Sequence, residues 1–555
     1  MYNEGKIYIG KSGNEKIFIY PSMANRHGMI AGATGTGKTV TLKVMAESFS
    51  DCGVPVFLAD IKGDLSGMCN PGSSSEDMNE RIERFGLSDE GFSFKTYPTT
   101  YWDVYQKVGI PLRTTVSEMG PILLARILGL NETQSDILKV IFKIADDEDL
   151  LLIDTKDLRS MLTYVGENAK EYSLSYGNIA KTSLGAIIRA VISLESEGGD
   201  IFFGEEALNI NDWIRTNSEG KGYINILECE KLVNNPTMYS TFMLWMLSEL
   251  FETLPEAGDL DKPKMVFFFD EAHMLFSTAS DELLEKIEQV VKLIRSKGVG
   301  VYFITQNPRD IPNGVLAQLG NKVQHALHAY TPAEQKGAKA AAESFRSNPE
   351  FDTYDTLLNL GIAEALVSVL DEDGIPTIVK KVNILPPQSQ MGPVDSGTRQ
   401  AFINASDLFA KYESNIDRDS AYERLNILRE EAEKKEVEAK EAAAKKKEEE
   451  ARRKQEEKER IAQEKAAQRE AERAEREAQK AEEKAQKEAE REANKKKNAI
   501  KSASKSVASS AAGTVGREVG NALGKTVGGT FGKKLGGNLG ASLGRGIIGT
   551  LFRLK

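Results

Sequence analysis

The stretch Met29-Ile30-Ala31-Gly32-Ala33-Thr34-Gly35-Thr36-Gly37-Lys38-Thr39 constrains the fold of this chain more than any other. It matches the pattern G-x-x-x-x-G-K-[ST], with Gly32, Gly37, Lys38 and Thr39 in register. Glycines let the main-chain N–H groups turn inward around a phosphate, where a Cβ would block the approach. Gly32, Ala33, Thr34, Gly35, Thr36, Gly37, Lys38, Thr39 and Val40 are therefore the candidate phosphate-binding segment. Lys38 is placed to reach the β- and γ-phosphates of a nucleotide, and the Thr39 hydroxyl to ligate Mg²⁺. The context is right as well. His27 to Ala31 is a short apolar run fit for a buried strand, and Val40, Leu42, Val44, Met45, Ala46 and Phe49 recur as on a helix. The loop thus feeds the positive end of a helix, a ready anion site.

A second motif follows far downstream, Met265-Val266-Phe267-Phe268-Phe269-Asp270-Glu271-Ala272-His273. Its apolar run reads as a buried parallel strand with two carboxylates at its end. In P-loop NTPases the first carboxylate, here Asp270, holds Mg²⁺, and the second, Glu271, is placed to polarise the attacking water. His273 has two readings, coupling hydrolysis to movement or plain packing. The next strand, Val299 to Gln306, ends in a polar residue, and Gln306 suits a γ-phosphate sensor. Arg295 stands at the far end of that element, where a ring neighbour would receive it as an arginine finger. Arg309 and Arg346 are its rivals.

With 555 residues, two or three units are expected. A net charge of −11 gives no general case for nucleic-acid binding, although a locally basic pore is compatible with it. Cys52, Cys69 and Cys229 form no CxxC pair, which argues against a disulfide framework or a zinc site and fits a reducing cytosol. No signal peptide and no membrane-length apolar run is read, so a cytoplasmic protein is expected.

Taken in order, residues 1–64 are the first part of an α/β core, opening with a hairpin of Lys6 to Ile9 and Lys16 to Tyr20. The apolar run Val54 to Ala59 ends in Asp60, ahead of Lys62-Gly63-Asp64, at the sheet edge where ligands sit in open α/β sheets. Asp60 has two readings, orienting water or Mg²⁺, or capping its loop. Residues 65–215 read as a largely helical insertion, with helical spacing at Pro121 to Leu130, Gln134 to Ala145, Thr155 to Val165 and Ile179 to Glu195. Residues 216–395 are the second part of the core, carrying the acidic motif and the sensor. Its last strands are expected at Asn321 to Tyr330, Ala363 to Leu370 and Thr377 to Val382. The polar stretch after Pro386-Pro387 is expected to leave the globular body, and everything beyond about 415 to be non-globular. Residues 400–498 read as a charged stalk, a lone solvated helix or a disordered segment, because apolar heptad positions are nearly lacking while opposite charges recur at i,i+4.

The last segment, 499–555, is basic and has a glycine every fourth residue from Gly516 to Gly544, each after an apolar residue. A strict four-residue repeat drifts around a helix of 3.6 residues per turn, so two shorter packed helices suit it better than one. Self-association, attachment to an anionic membrane surface and an unstructured tail all remain open for it.

Together, GATGTGKT, FFFDEAH, LIRSKGVGVYFITQNP and QLGNKVQHAL resemble the HerA-like (HerA/FtsK-type) ATPases over roughly residues 5–395. The resemblance implies a RecA-like core, ATP hydrolysis with Mg²⁺, a homo-hexameric ring and DNA as the substrate moved. It implies nucleotide binding by Lys38 and Thr39, hydrolysis at Asp270 and Glu271, sensing by Gln306, and Arg295 as finger. The sequence departs from HerA helicases in lacking a substantial β-barrel domain before the P-loop and in carrying the helical insertion and charged tail. Beside the DNA motor stand two other readings: an ATP-driven switch or scaffold acting on protein or membrane partners, and a nucleotide-binding structural protein. Intact Lys38, Asp270 and Glu271 argue against the latter.

Overall fold

Runs such as Gly28–Ala31, Val56–Asp60, Met265–Phe269 and Val299–Thr305 have almost no polar interruption, so neither face can be left in water; all are buried along their whole length. The structure, a computed structural model, describes residues 1–276 and 281–494. In chain order the strands are β1 (Tyr2–Asn3), β2 (Lys6–Ser12), β3 (Glu15–Ile19), β4 (Gly28–Ala31), β5 (Val56–Asp60), β6 (Thr99–Asp103) and β7 (Ile110–Pro111). They continue as β8 (Ile224–Glu228), β9 (Met265–Phe269), β10 (Val299–Thr305), β11 (Asn321–Gln324), β12 (Glu364–Ser368) and β13 (Lys380–Ile384).

They form one 13-stranded sheet in the order β1-β2-β13-β12-β11-β4-β10-β9-β5-β8-β6-β7, with β3 paired to β2. Every pairing from β11 through to β7 is parallel. The pairings from β11 outward to β1 and β3 are antiparallel. The fold is α/β, with a mostly parallel sheet in which β10 separates the P-loop strand β4 from the acidic strand β9, as in a RecA-like core. The hairpin read at the amino terminus is β2–β3.

The P-loop helix α1 (Lys38–Asp51) packs Leu42, Val44, Met45, Ala46 and Phe49 into the core. Between β7 and β8 lie helices at Val116–Ile127, Glu132–Asp147, Thr155–Glu167 and Lys181–Leu194. Capping boxes at Thr115/Glu118, Asn131/Gln134 and Asp154/Asp157 start the first three by satisfying the orphan N–H groups of each first turn. The first begins upstream of Pro121 and is broken at Gly120, whose φ is +71°.

The structure differs from the sequence reading in three places. Strands β6 and β7 lie within 65–215, where strand signals are weak. Thr99-Thr100-Tyr101-Trp102-Asp103 looks polar, yet β-branched and aromatic residues suit a strand, and all five positions are buried beside β8. The strand expected from Asn321 to Tyr330 stops at Gln324. The stretch after Pro387 does not leave the globular body. Gln388 and Ser389 are buried, Arg399 pairs with Glu228 at 2.9 Å, and Tyr412 is fully buried with its ring 5.5 Å from Trp102.

The chain divides into two units, Met1–Glu438 and Ala439–Lys555. The charged segment is helical over Ala421–Asn494. The glycine-repeat tail lies outside the described residues. Among the described residues no helix is long and apolar enough to cross a membrane.

Tyr412 also donates its hydroxyl to Asp212 (2.5 Å) and accepts from the Asn209 N–H (3.0 Å). Tyr412→Ala should therefore cost about 3–5 kcal/mol, as for other large aromatic-to-alanine changes in cores. Denaturant unfolding measures this; a loss below about 1 kcal/mol would mean the segment around it is peripheral.

Candidate nucleotide site

The sheet places the P-loop, the acidic motif and Gln306 at its carboxyl edge, because they follow β4, β9 and β10 respectively. The loop is tied down on both sides. Gly32 N–H donates to Thr305 O on β10 (3.2 Å), and Ala33 N–H donates to Ala326 O just beyond β11 (2.8 Å). Thr36 Oγ1 donates to Ala33 O (2.7 Å) across the loop. Two glycines are required by space as well as conformation. A Cβ on Gly32 (φ +154°) would come within 2.5 Å of His325 Cβ, and one on Gly37 (φ +109°) within 2.9 Å of the Ala363 backbone. Thr34 and Gly35 form the exposed crest, with Thr39 and Val40 partly exposed in the first turn of α1.

Lys38 donates to Gly32 O (2.5 Å) and Ala33 O (3.0 Å) from within the loop. Burial lowers its pKa, while the charges of Glu271 and Asp270 raise it. Both carboxylates therefore lie close enough for their charge to act on the lysine. Asp270 accepts the Glu271 N–H at Oδ1 (2.9 Å), and its carbonyl accepts the Tyr239 hydroxyl (2.8 Å). Burial, then the Glu271 charge, pushes the Asp270 carboxyl up to about 6. A doubly charged metal beside it would favour the ionised form.

Glu271 takes the left-handed conformation, φ +46°, which is uncommon outside glycine. Ala272 N–H donates to Ile304 O (2.8 Å) and fixes this turn against β10. The Glu271 carboxylate then accepts from Gln306 Nε2 (3.3 Å) and lies 3.3 Å from His273 Nδ1. Gln306 and Glu271 thus meet directly, a contact between two residues the sequence reading had assigned separate tasks. Arg295 is elsewhere. It is exposed and precedes β10, so the whole strand, about 20 Å at roughly 3.3 Å per residue, separates it from Gln306. Arg309 shares a cavity with His273 and Gln306 and donates to Lys336 O (3.0 Å). Arg346 donates to Pro376 O, remote from β9 and β10 in the sheet order.

His325 lies within QLGNKVQHAL, but no local pattern in the sequence marks its role. The imidazole Nδ1 lies 2.9 Å from Glu364 O, and Nε2 lies 2.8 Å from Thr41 Oγ1. A carbonyl can only accept, so Nδ1 carries the proton and Nε2 accepts from the Thr41 hydroxyl. His325 N–H also donates to Ala31 O (2.7 Å), so one residue braces β4, β12 and α1. Asp60 accepts the Leu65 N–H at Oδ2 (3.1 Å), the loop-capping geometry. Burial, Asp64 and Glu228 push its carboxyl up to about 7.

A P-loop opening a helix, an acidic strand one strand away and a polar residue ending the strand between them define a P-loop NTPase. The chain belongs to the family described as Helicase HerA-like C-terminal, whose model matches residues 6–553. It is 20% identical over 388 residues to the DNA double-strand break repair helicase HerA of Sulfolobus acidocaldarius, covering 68% of this chain and 70% of that one. Among solved structures it is similar to the bacterial conjugative coupling protein TrwBdeltaN70 (TM-score 0.46, 13% identity, 71% of this chain and 92% of that one). It is also similar to VirB4 of Thermoanaerobacter pseudethanolicus (TM-score 0.43, 14% identity, 69% and 97%).

Burial lowers His27 and His325 to about 4. Both imidazoles are neutral at pH 7 and should keep neutral-form ring resonances down to pH 5 in histidine-labelled NMR spectra. Protonation of either near pH 6.5 would contradict the packing described.

Proposed function

We propose that this chain is an ATP-hydrolysing motor that works with Mg²⁺ as a homo-hexameric ring and translocates along or unwinds DNA. The observation that carries the reading is the convergence of Lys38, Asp270, Glu271 and Gln306 on one sheet edge. The residues fit Mg-ATP. The loop is free of Cβ atoms where they would clash, and Thr39 and Asp270 offer the hard oxygen donors that Mg²⁺ takes. Bound there, Mg²⁺ would neutralise phosphate charge.

Gly32–Val40 cradle the phosphates and Lys38 orients the γ-phosphoryl group. Glu271 takes a proton from the attacking water as its oxygen bonds to the γ-phosphorus and the β–γ bridging P–O bond breaks, giving ADP and phosphate. Gln306 and His273 hold the Glu271 carboxylate for that task. Arg295, exposed on the opposite edge, is out of reach of its own site and suits a finger offered to the neighbouring protomer. The relative HerA is named a DNA repair helicase, which supports DNA as substrate.

A second reading, an ATP-driven switch acting on protein or membrane partners, is favoured by the charged helix Ala421–Asn494 and by the basic glycine-repeat tail. Turnover with and without double-stranded DNA separates the two. On the motor reading DNA stimulates ATP hydrolysis several-fold, and Glu271→Gln lowers kcat by on the order of 100-fold or more while nucleotide still binds. Robust turnover indifferent to DNA would sink the motor reading in favour of the switch.

A further inference from the structure

The loop after β5 carries a cation that the reading above leaves idle. Strand β5 lies directly beside β9, with Leu58 level with Phe268, so Asp60 and Asp270 end the two strands side by side. Two residues on is Lys62, exposed at the same carboxyl edge as the P-loop. It makes no hydrogen bond or ion pair among the described residues, unlike the nearby Lys43, which donates to Gln390 O, or Arg399, which pairs with Glu228. Its charge acts on both Asp270 and Lys38, whereas the charges around Asp60 on its own strand are Asp64, Glu228 and Arg399. Its charge therefore reaches both the acidic strand and the P-loop lysine. Gly63, with φ +73°, bends the chain immediately after it, and the Asp60 cap on Leu65 N–H fixes the loop.

We propose that Lys62 is a second phosphate ligand in cis, contacting the γ-phosphoryl oxygens of bound nucleoside triphosphate from the β5–β9 side while Lys38 holds them from the P-loop. The assignment rests on the nucleotide site described above. A solvent-exposed lysine with no hydrogen-bond or ion-pair partner among the described residues, near the acidic strand and a phosphate-binding lysine, has a ligand-shaped role open to it. Charge builds on the γ-phosphoryl oxygens in the transition state, and a cation delivered in cis stabilises it as an arginine finger does from a neighbour. The contact also discriminates, because a diphosphate has no γ-oxygens to reach.

The test uses the full chain with Lys62→Ala and Lys62→Arg, titrated with fluorescent ADP and with a non-hydrolysable ATP analogue, both with Mg²⁺. Lys62→Ala should weaken the analogue by on the order of tenfold to a hundredfold, the range for a lost charge-assisted hydrogen bond, and leave ADP within about twofold. Lys62→Arg should recover most of the loss, and kcat for ATP should follow the same order. Equal weakening of both nucleotides, or of neither, overturns the assignment. A wild-type chain that binds neither nucleotide overturns the site itself and this assignment with it.

Discussion

The hydrogen bonding of β4 on both of its edges is the constraint on which the rest depends. Its loop leaves the sheet only after Gly32 N–H is donated to β10 and Ala33 N–H to the chain beyond β11. The foot of the P-loop is thereby fixed relative to two strands at once. The Ala363 N–H, donated to Thr36 O (3.0 Å), ties the far side of the loop to the turn that enters β12. A loop fixed at three points has little freedom to lose when it wraps a phosphate, which is the physical content of preorganisation. Because β10 is one of the two anchors and also carries Gln306, any shift of the P-loop is felt at the residue touching Glu271.

The carboxyl edge of the sheet collects like charge, since Asp270, Asp60, Glu228 and Asp103 end four strands that are neighbours in the order β9-β5-β8-β6. Each is handled differently. Asp103 accepts three backbone N–H groups, from Tyr105, Lys107 and Val108, and Glu228 takes Arg399. Asp60 has a single N–H donor and carries its proton to about 7, and Asp270 is held at about 6. The two groups left under-compensated lie beside the P-loop lysine, where on the proposed reading a bound metal ion would supply what the backbone does not. The linkage signs oppose one another. Buried neutral His27 and His325 favour folding more as pH rises from 4 to 6.5, whereas protonated Asp60 favours it less as pH rises through its folded value of about 7.

Much of this was legible in the sequence, because its signals are local. The P-loop spacing, the apolar run before Asp270-Glu271 and the helical periodicity of the insertion each lie within a short window, and each element formed close to where it was read. What escaped was non-local. Strand β6 looks polar because its threonines count as polar until β8 is known to lie beside them; in the same strand the Trp102 ring lies 5.6 Å from the Trp213 ring. His325 looks like one polar residue ending a strand. Its role depends on Thr41 and Glu364, distant in sequence and adjacent only because β11 is inserted between β4 and β12.

The stretch after Pro387 shows the same limit most sharply, and it bears on α1 as well. Lys43 and Glu47 look like the solvent face of an amphipathic helix, yet they are 0% and 1% exposed. Residues 388–390 cover them. Glu47 accepts the N–H groups of Gln388 (2.8 Å) and Ser389 (3.0 Å), and Lys43 donates to Gln390 O (2.7 Å). Burying two charges is costly unless hydrogen bonds replace the water they lose, and here the covering segment's backbone supplies those bonds. The arrangement is mutual. The segment has too few apolar residues to pack by hydrophobic burial alone, and α1 has too many charges to be buried by anything that does not present polar backbone. Each looks solvent-exposed in isolation, and only together do they close the core behind the P-loop helix.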